Sequence, residues 1–552
     1  MDIVRDSPIG QILRWITGNR VLLYPEELPG FNFPISEEKT KRPVEQKQIL
    51  ENDSTTTRRN SSSGDSCNPL PQTVHDISHG RSTEETHVVE WDGPEDPTNP
   101  RNWSPLRKKI TAAQICLYTF VVYCGSAIYV PTESQIMEHF HVSQTEASLG
   151  LALYVLGYGL GPLLFSPMSE VPAYGRNVPY LISFFIFVIL CIPTALVDNY
   201  PGLMILRFLQ GFFGSPCLAS GGASMGDMYN EIYVPLLLTS WVAAAYCGPA
   251  LGPVLSAFAI VKEGWRWAMW EILWMSGPVF CIMLVFLPET SPDTILLHRA
   301  QRLRRITGNS NIFSQSEIAR DHLTFGQEVL ISLAKPIEIM MKDPAILFTN
   351  VYTSLVYGIY YSFFEAFPLV YPIIYGFNLG KTALVFIAIV IACGIGVTIY
   401  ITYLYTYMMP DLIQNGHRAP EHRLVPAIFA SLTVPAGLFI FAWTSRDDIN
   451  WSVSAVGIMI YGSSVFIILQ CIFVYVPLVY PKYAASLFAG NDFSRSAFAF
   501  AFILFARPMF QNLGVDKGVT VLAGLSILGI IGMFFLYFYG AKLRARSHFA
   551  VA

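Results

Sequence analysis

At 552 residues, with 52% hydrophobic and only 14% charged side chains, the chain lacks the roughly 25% of charged residues usual in soluble domains, so water is not its main solvent. A net charge of only -4 argues for no nucleic-acid partner. The nine cysteines are spread singly, most of them inside apolar stretches, with neither metal-ligand nor disulfide-framework spacing, and read as small packed hydrophobes.

In chain order, residues 1–109 form an N-terminal region without a recognisable cleavable signal peptide, so the first span is expected to act as its own insertion signal. Ile9, Ile12, Leu13 and Ile16 at helical spacing, beside Arg14 and Arg20, predict a short helix, lying on the membrane or docked on the protein. From about 36 to 90 the run of Ser, Thr, Asn, Asp and Glu cannot bury enough apolar surface to fold, and a disordered tail is expected.

Twelve stretches then match the roughly 20 apolar residues a spanning helix needs: 110–131, 147–168, 178–197, 202–226, 234–258, 267–287, 345–370, 382–408, 424–444, 453–478, 484–507 and 518–540. Six lie on each side of a polar stretch. The expectation is an all-α membrane protein of twelve transmembrane helices in two six-helix bundles, 110–287 and 345–540, joined by a linker at 288–344 and followed by a tail at 541–552. Basic residues gather on one side: Arg107, Lys108 and Lys109; Arg299, Arg302, Arg304 and Arg305; Arg418 and Arg423; Lys542, Arg544 and Arg546. By the positive-inside rule both termini and the linker are cytoplasmic.

Ionisable residues inside spans are costly and therefore candidates for function. Arg207 lies in the fourth span, and reads either as snorkelling to the headgroups or as a fixed charge near a proton-binding carboxylate. Glu365 lies deep in the seventh, placed to take up and release a proton or else to reach water at the outer interface. Asp492 and Arg495, three residues apart, are expected to pair on one helical face. Small residues crowd the fourth span (Gly211 to Ser224) and the fifth (Ala243 to Pro253), which predicts that these two helices pack together. Tyr357, Tyr360, Tyr361, Phe364 and Phe367 suggest an aromatic wall for apolar ligands, with Gln210 nearby. The sequence holds no phosphate-binding glycine loop, zinc pattern or nucleophile elbow; no cofactor and no enzymatic reaction are expected.

The stretch Trp91-Asp92-Gly93-Pro94-Glu95-Asp96-Pro97-Thr98-Asn99-Pro100-Arg101-Asn102-Trp103 resembles the signature that precedes the first span in fungal drug:proton antiporters of the major facilitator superfamily, twelve-span branch. Gly161, Glu170, Gly175 and Arg176 resemble the family's gating motif between the second and third spans, in the longer form of the azole and benomyl exporters. Arg207 with Gln210 and Gly211 resembles the fourth-span motif, Gly248-Pro249 with Gly252-Pro253 the fifth-span antiporter motif, and Pro288-Glu289-Thr290 the sixth-span ending. The resemblance, running from about 91 to 547, implies a monomeric, multi-pass plasma-membrane exporter of small hydrophobic compounds, working by alternating access and driven by the proton gradient, with Arg207 in proton coupling; Glu365 joins it as the carboxylate buried in the seventh span. The alternatives are an importer of a nutrient or polyamine on the same fold, or a non-transporting receptor.

Overall fold

A computed structural model describes residues 2–29, 87–230, 232–320, 338–416, 418–480 and 484–547. The spans are the helices Pro105–Ala127, Gln144–Glu170, Asn177–Leu196, Tyr200–Gly214 with Pro216–Met228, Val234–Glu263, Trp265–Phe286, Pro344–Tyr375, Leu379–Val385 with Ile387–Tyr403, Val425–Thr444, Trp451–Val479, Ala484–Leu513 and Val515–Arg546. In lipid each backbone group needs an internal partner, and a helix supplies one locally. The fourth span breaks at Ser215 because Pro216 has no N–H to donate, and the Ser215 hydroxyl instead donates to Phe212 O at 2.7 Å. Ser143 and Glu146 start the second span with a capping box.

Eleven helices among the described residues are apolar and long enough to cross a membrane. The seventh, 32 residues long, is the polar exception, and its Asn350, Thr353, Ser354, Ser362 and Glu365 are all buried by neighbouring helices. Within the first half the closest pairings join spans 1 and 5, 2 and 4, and 3 and 6. In the second half 7 packs on 11, 8 on 10 and 9 on 12 in the same scheme, and 9 packs still more extensively along 10. The halves meet chiefly where span 2 lies on span 11 and span 5 on span 8, the arrangement a two-fold repeat along the membrane normal produces. The end of the bundle carrying the linker is called here the linker side, and the opposite end the far side.

Two expectations need correction. The small-residue runs of spans 4 and 5 do not chiefly serve each other: a Cβ at Gly211 would lie 2.1 Å from Tyr154 O of span 2, and one at Gly252 would lie 2.7 Å from Ile128 N beyond span 1. Spans 4 and 5 do pack on each other as expected, but only where Gly221 and Gly222 of the fourth-span run admit Trp241 and Leu238. The expected disordered segment lies outside the described residues except at its end, where His87–Val89 forms a strand parallel to Ile312–Ser314 of the linker.

That strand pair belongs to a clasp on the linker side. The linker helix Pro292–Thr307 carries Arg299, whose guanidinium reaches Glu26 at 3.2 Å, Asp96 at 3.1 Å and also Asp92. The segment before the first span folds around Asp96, whose carboxylate accepts from the backbone N–H of Asp92 (2.9 Å) and Thr98 (2.8 Å). The helix Pro8–Ile16 docks on the sixth span, with Trp15 and Ile16 still exposed.

Candidate functional site

The centre of the interface is a web of tyrosines. Tyr158 of span 2 shares its hydroxyl with Tyr357 at 2.8 Å and Tyr361 at 2.9 Å, both from span 7; Tyr361 also lies 3.4 Å from Ser126 of span 1. Tyr360 donates to Tyr246 O of span 5 at 3.1 Å, and Tyr246 donates to Gly462 O of span 10 at 3.0 Å. Beside them a narrow cavity is lined from both halves by Tyr123, Trp241, Tyr246, Tyr357, Phe473 and Arg495. Arg495 pairs with Asp492 at 2.6 Å, as their spacing suggests, and stacks over Tyr357 and Phe473. The chamber is thus aromatic, with one internally neutralised ion pair in its wall.

Of the lining residues expected from the sequence, Tyr357, Tyr360 and Tyr361 stand in this web. Phe364 borders it, meeting Tyr360 and Tyr361 while stacking on Phe386. Phe367 does not line the chamber; it packs inside the second half against Phe363, Phe386 and Phe441. Gln210 also turns away, held 3.4 Å from Arg207 and 3.5 Å from Cys191 of span 3. Tyr123, Tyr158 and Tyr246 were not singled out in the sequence, where one tyrosine on an apolar helix looks like another.

Arg207 is fully buried, which rules out snorkelling. It donates to Gly125 O and Ser126 O, each at 2.9 Å, and to Gly150 O at 3.1 Å, and its guanidinium lies 4.3 Å from the centre of the Tyr154 ring. Gly125 and Ser126 end the first span, where carbonyls have no helical partner and carry the negative end of the dipole. Among the described residues no carboxylate lies within ion-pairing distance of Arg207.

Glu365 is 1% exposed, with Arg507 Nη1 of span 11 at 3.6 Å from its Oε2. Arg507 closed the expected eleventh span at its boundary, so its burial partner was not visible in the pattern.

On the linker side Arg176 meets Asp227 at the end of span 4 at 3.2 Å and Ser169 at the end of span 2 at 3.0 Å. Burial disfavours its charge, but Asp227 and Glu170 more than compensate and hold the guanidinium above its usual value. Gly175 has φ +66°, a left-handed turn, and a Cβ there would strike the Glu289 carboxylate at 2.5 Å. Glu289 accepts from the backbone N–H of Arg176 (3.1 Å), Asn177 (3.0 Å), Thr290 (2.9 Å) and Ser291 (2.8 Å), tying the start of span 3 to the end of span 6. In the second half the equivalent ends, of spans 9 and 12, are joined by Glu421 and Arg544 at 2.8 Å. Gly161 presses span 2 against the break in span 4, where a Cβ would lie 2.0 Å from Ser215 Oγ.

Gly248 and Gly252 bring span 5 onto the backbone of span 1, near Phe120 O and Cys124 O, and Pro249 and Pro253 sit buried within an unbroken helix. The motif is a helix seam within the first half. Among the described residues no three His, Cys, Asp or Glu side chains converge as a metal site.

Two repeated six-helix halves around a buried aromatic chamber agree with what the chain matches. The family model described as Major Facilitator Superfamily matches residues 115–491. The chain belongs to the major facilitator superfamily. It is 42% identical over 553 residues to the MFS-type transporter pyvG of Aspergillus violaceofuscus, covering 99% of each chain. It is 38% identical over 560 residues to a cycloheximide resistance protein of Candida maltosa, again over 99% of each chain. Fluconazole resistance protein 1 of Saccharomyces cerevisiae is 38% identical over 467 residues, 84% of each chain. The superfamily fold is seen in the human organic anion transporter MFSD10 (TM-score 0.55, 15% identity, 78% of this chain and 100% of that one) and in the proton:xylose symporter XylE (0.58, 14%, 79% and 96%). The protein is a multi-pass membrane transporter of the superfamily and not an enzyme.

Proposed function

We propose that this transporter exports small, mainly hydrophobic organic compounds across the plasma membrane in exchange for protons, with the linker side facing the cytoplasm. The observation that carries the reading is the aromatic web between the halves, Tyr158 and Tyr361 bonded to their neighbours beside a narrow cavity lined by Tyr123, Tyr246, Tyr357 and Tyr360, with Arg495, paired to Asp492, as the charged group in its wall. Stacking and dispersion tolerate varied apolar shapes, while hydroxyls that bond one another can re-pair around a guest. Resistance to cycloheximide and fluconazole, named for two relatives, is consistent with such guests.

Alternating access separates the halves first on one side and then on the other, with the chamber as the fixed point. Glu365 is the proton carrier in this reading: it is a buried carboxylate facing the interface, one of its oxygens has no hydrogen-bond partner, and it lies within the seventh span rather than at a helix end. Arg207 ties the end of span 1 to span 2 through the carbonyls of Gly125, Ser126 and Gly150 and, in this reading, exchanges no proton. The sidedness rests on the basic residues that gather on the linker side, and a monomer suffices because the chamber is completed within one chain.

Purified protein in liposomes tests this. With an imposed pH gradient, a labelled azole or cycloheximide should move against its own gradient, and Glu365→Gln should abolish proton-driven movement. Transport that ignores the pH gradient would sink the proposal.

A further inference from the structure

The far side of the interface holds a second carboxylate that the reading above does not use. Glu133 opens the short helix Glu133–Phe140 beyond span 1 and is 6% exposed. Its Oε2 accepts from Gln144 Nε2 at 2.7 Å and from Ser148 Oγ at 3.3 Å, both on span 2. Across the interface stand Glu365 and Arg507 of the second half, and the Ser148 hydroxyl reaches Glu365 as well. Glu133 and Arg507 line a shared cavity of about 160 Å³, walled by Pro253, Pro368, Thr382 and Phe386. Three polar atoms in this group have no hydrogen-bond partner: Glu133 Oε1, Glu365 Oε2 and Arg507 Nε. The other ionisable neighbours are already committed, Tyr129 donating to Ala147 O at 2.9 Å and Arg207 saturated by carbonyls.

Two carboxylates against one guanidinium cannot all be charged here without burying a net negative charge between like charges, which is costly in a low dielectric. One proton removes the conflict: one carboxyl becomes neutral, and Arg507 balances the charge of the other. We infer that Glu133 is a second proton-binding residue, and that Glu133, Glu365 and Arg507 form a lock that closes the far side only while it holds one proton.

This deepens the proton-coupled reading and rests on it. The first half supplies Glu133, Gln144 and Ser148, and the second Glu365 and Arg507, so opening the far side takes the lock apart. Opening and deprotonation go together: the carboxyl O–H bond breaks, its electron pair stays on the carboxylate, and the proton passes to water. The closed far side therefore binds one proton more than the open one, and raising the pH favours opening.

Spin labels at Thr145 and Asp447, exposed on the far side of opposite halves, report opening by pulsed electron resonance in the full-length protein in lipid nanodiscs, on a background freed of native cysteines. The unaltered lock should give an open-to-closed ratio that rises about tenfold per pH unit around its midpoint, the slope of a single linked proton. Glu133→Gln leaves one carboxylate facing one guanidinium, and the ratio should become independent of pH. Glu133→Asp should restore the dependence. Arg507→Leu leaves two carboxylates that must both be neutral, so the midpoint should fall to lower pH and the slope should steepen. If Glu133→Gln keeps the original dependence while Glu365→Gln loses it, Glu365 works alone and the lock is wrong. If both variants keep it, the role of Glu365 in proton coupling fails too. Should Glu133→Gln not fold, an unshifted midpoint in Arg507→Leu overturns the lock independently.

Discussion

Arg176 and Asp227 lie 3.2 Å apart and join the start of span 3 to the end of span 4, closing the linker side of the first half. Both side chains are largely buried, at 11% and 17% exposure, so losing one strands the other. Arg176→Ala or Asp227→Asn should cost about 3 kcal/mol and lower transport by roughly tenfold or more. The reversed pair, Arg176→Asp with Asp227→Arg, should recover part of both. Thermal unfolding in detergent and substrate flux in liposomes measure the two effects, and an exposed, dispensable pair would show neither.

Gly161→Val should be among the most damaging single changes in the second span. Its Cβ would lie 2.0 Å from Ser215 Oγ and 2.4 Å from Phe212 O, and a backbone carbonyl cannot move aside cheaply. Overpacking of this kind costs up to about 3 kcal/mol, read as a lower melting temperature. Gly159→Val differs because its Cβ meets Ser496 at 2.3 Å across the two halves. It should bias the halves apart, seen as faster labelling of chamber residues from the linker side.

Arg207 should behave as a structural cation. Arg207→Ala leaves the carbonyls of Gly125, Ser126 and Gly150 buried without donors and should destabilise the protein by roughly 3 kcal/mol. Lysine presents a point charge where a planar fork is needed and should restore only part of the loss. The pH profile of whatever transport remains should be unchanged, which separates this role from proton transfer.

Tyr158→Phe removes one hydroxyl that serves both Tyr357 and Tyr361. The expected effect is a change of roughly threefold to tenfold in apparent affinity, about 1 kcal/mol, differing in sign among substrates and without loss of folded protein. Binding titrations with several azoles and cycloheximide check it.

The clasp on the linker side should loosen in Arg299→Ala, because Asp92 and Asp96 would lose their shared cation and Glu26 would keep only Arg302, at 3.5 Å. Limited proteolysis should cut residues 2–29 roughly tenfold faster, a local opening rather than global unfolding. Burial alone would raise the Asp96 carboxyl, but the Thr98 hydroxyl, the N–H groups of Asp92 and Thr98, and Arg299 hold it below its usual value. Its contribution is therefore complete above the unfolded aspartate value of about 3.9 and fades as pH falls through the lower folded one. Proteolysis rates should stay flat from neutral pH down to about 5.

The twelve spans were legible in the sequence, and the helices fall within a few residues of the expected ends over most of the chain. A long apolar run has one solution in lipid, a helix, whatever its neighbours. The Asp492 and Arg495 pair was legible too, since helical spacing alone places those residues on one face.

What the linear order could not reveal is who meets whom. Each residue turns a helix by about 100°, so choosing which face of span 4 looks at span 1 decides whether Arg207 reaches Gly125 O or lipid. Arg176 with Asp227, Tyr158 with Tyr357, and Glu133 with the Glu365 and Arg507 pair join residues far apart in the chain, and Gln210 and Phe367 were turned away by the same rotations. Hydrophobicity alone decides that a segment enters the membrane. Its partners, and with them the chemistry of the interface, depend on helix rotation and packing, which only the folded bundle sets.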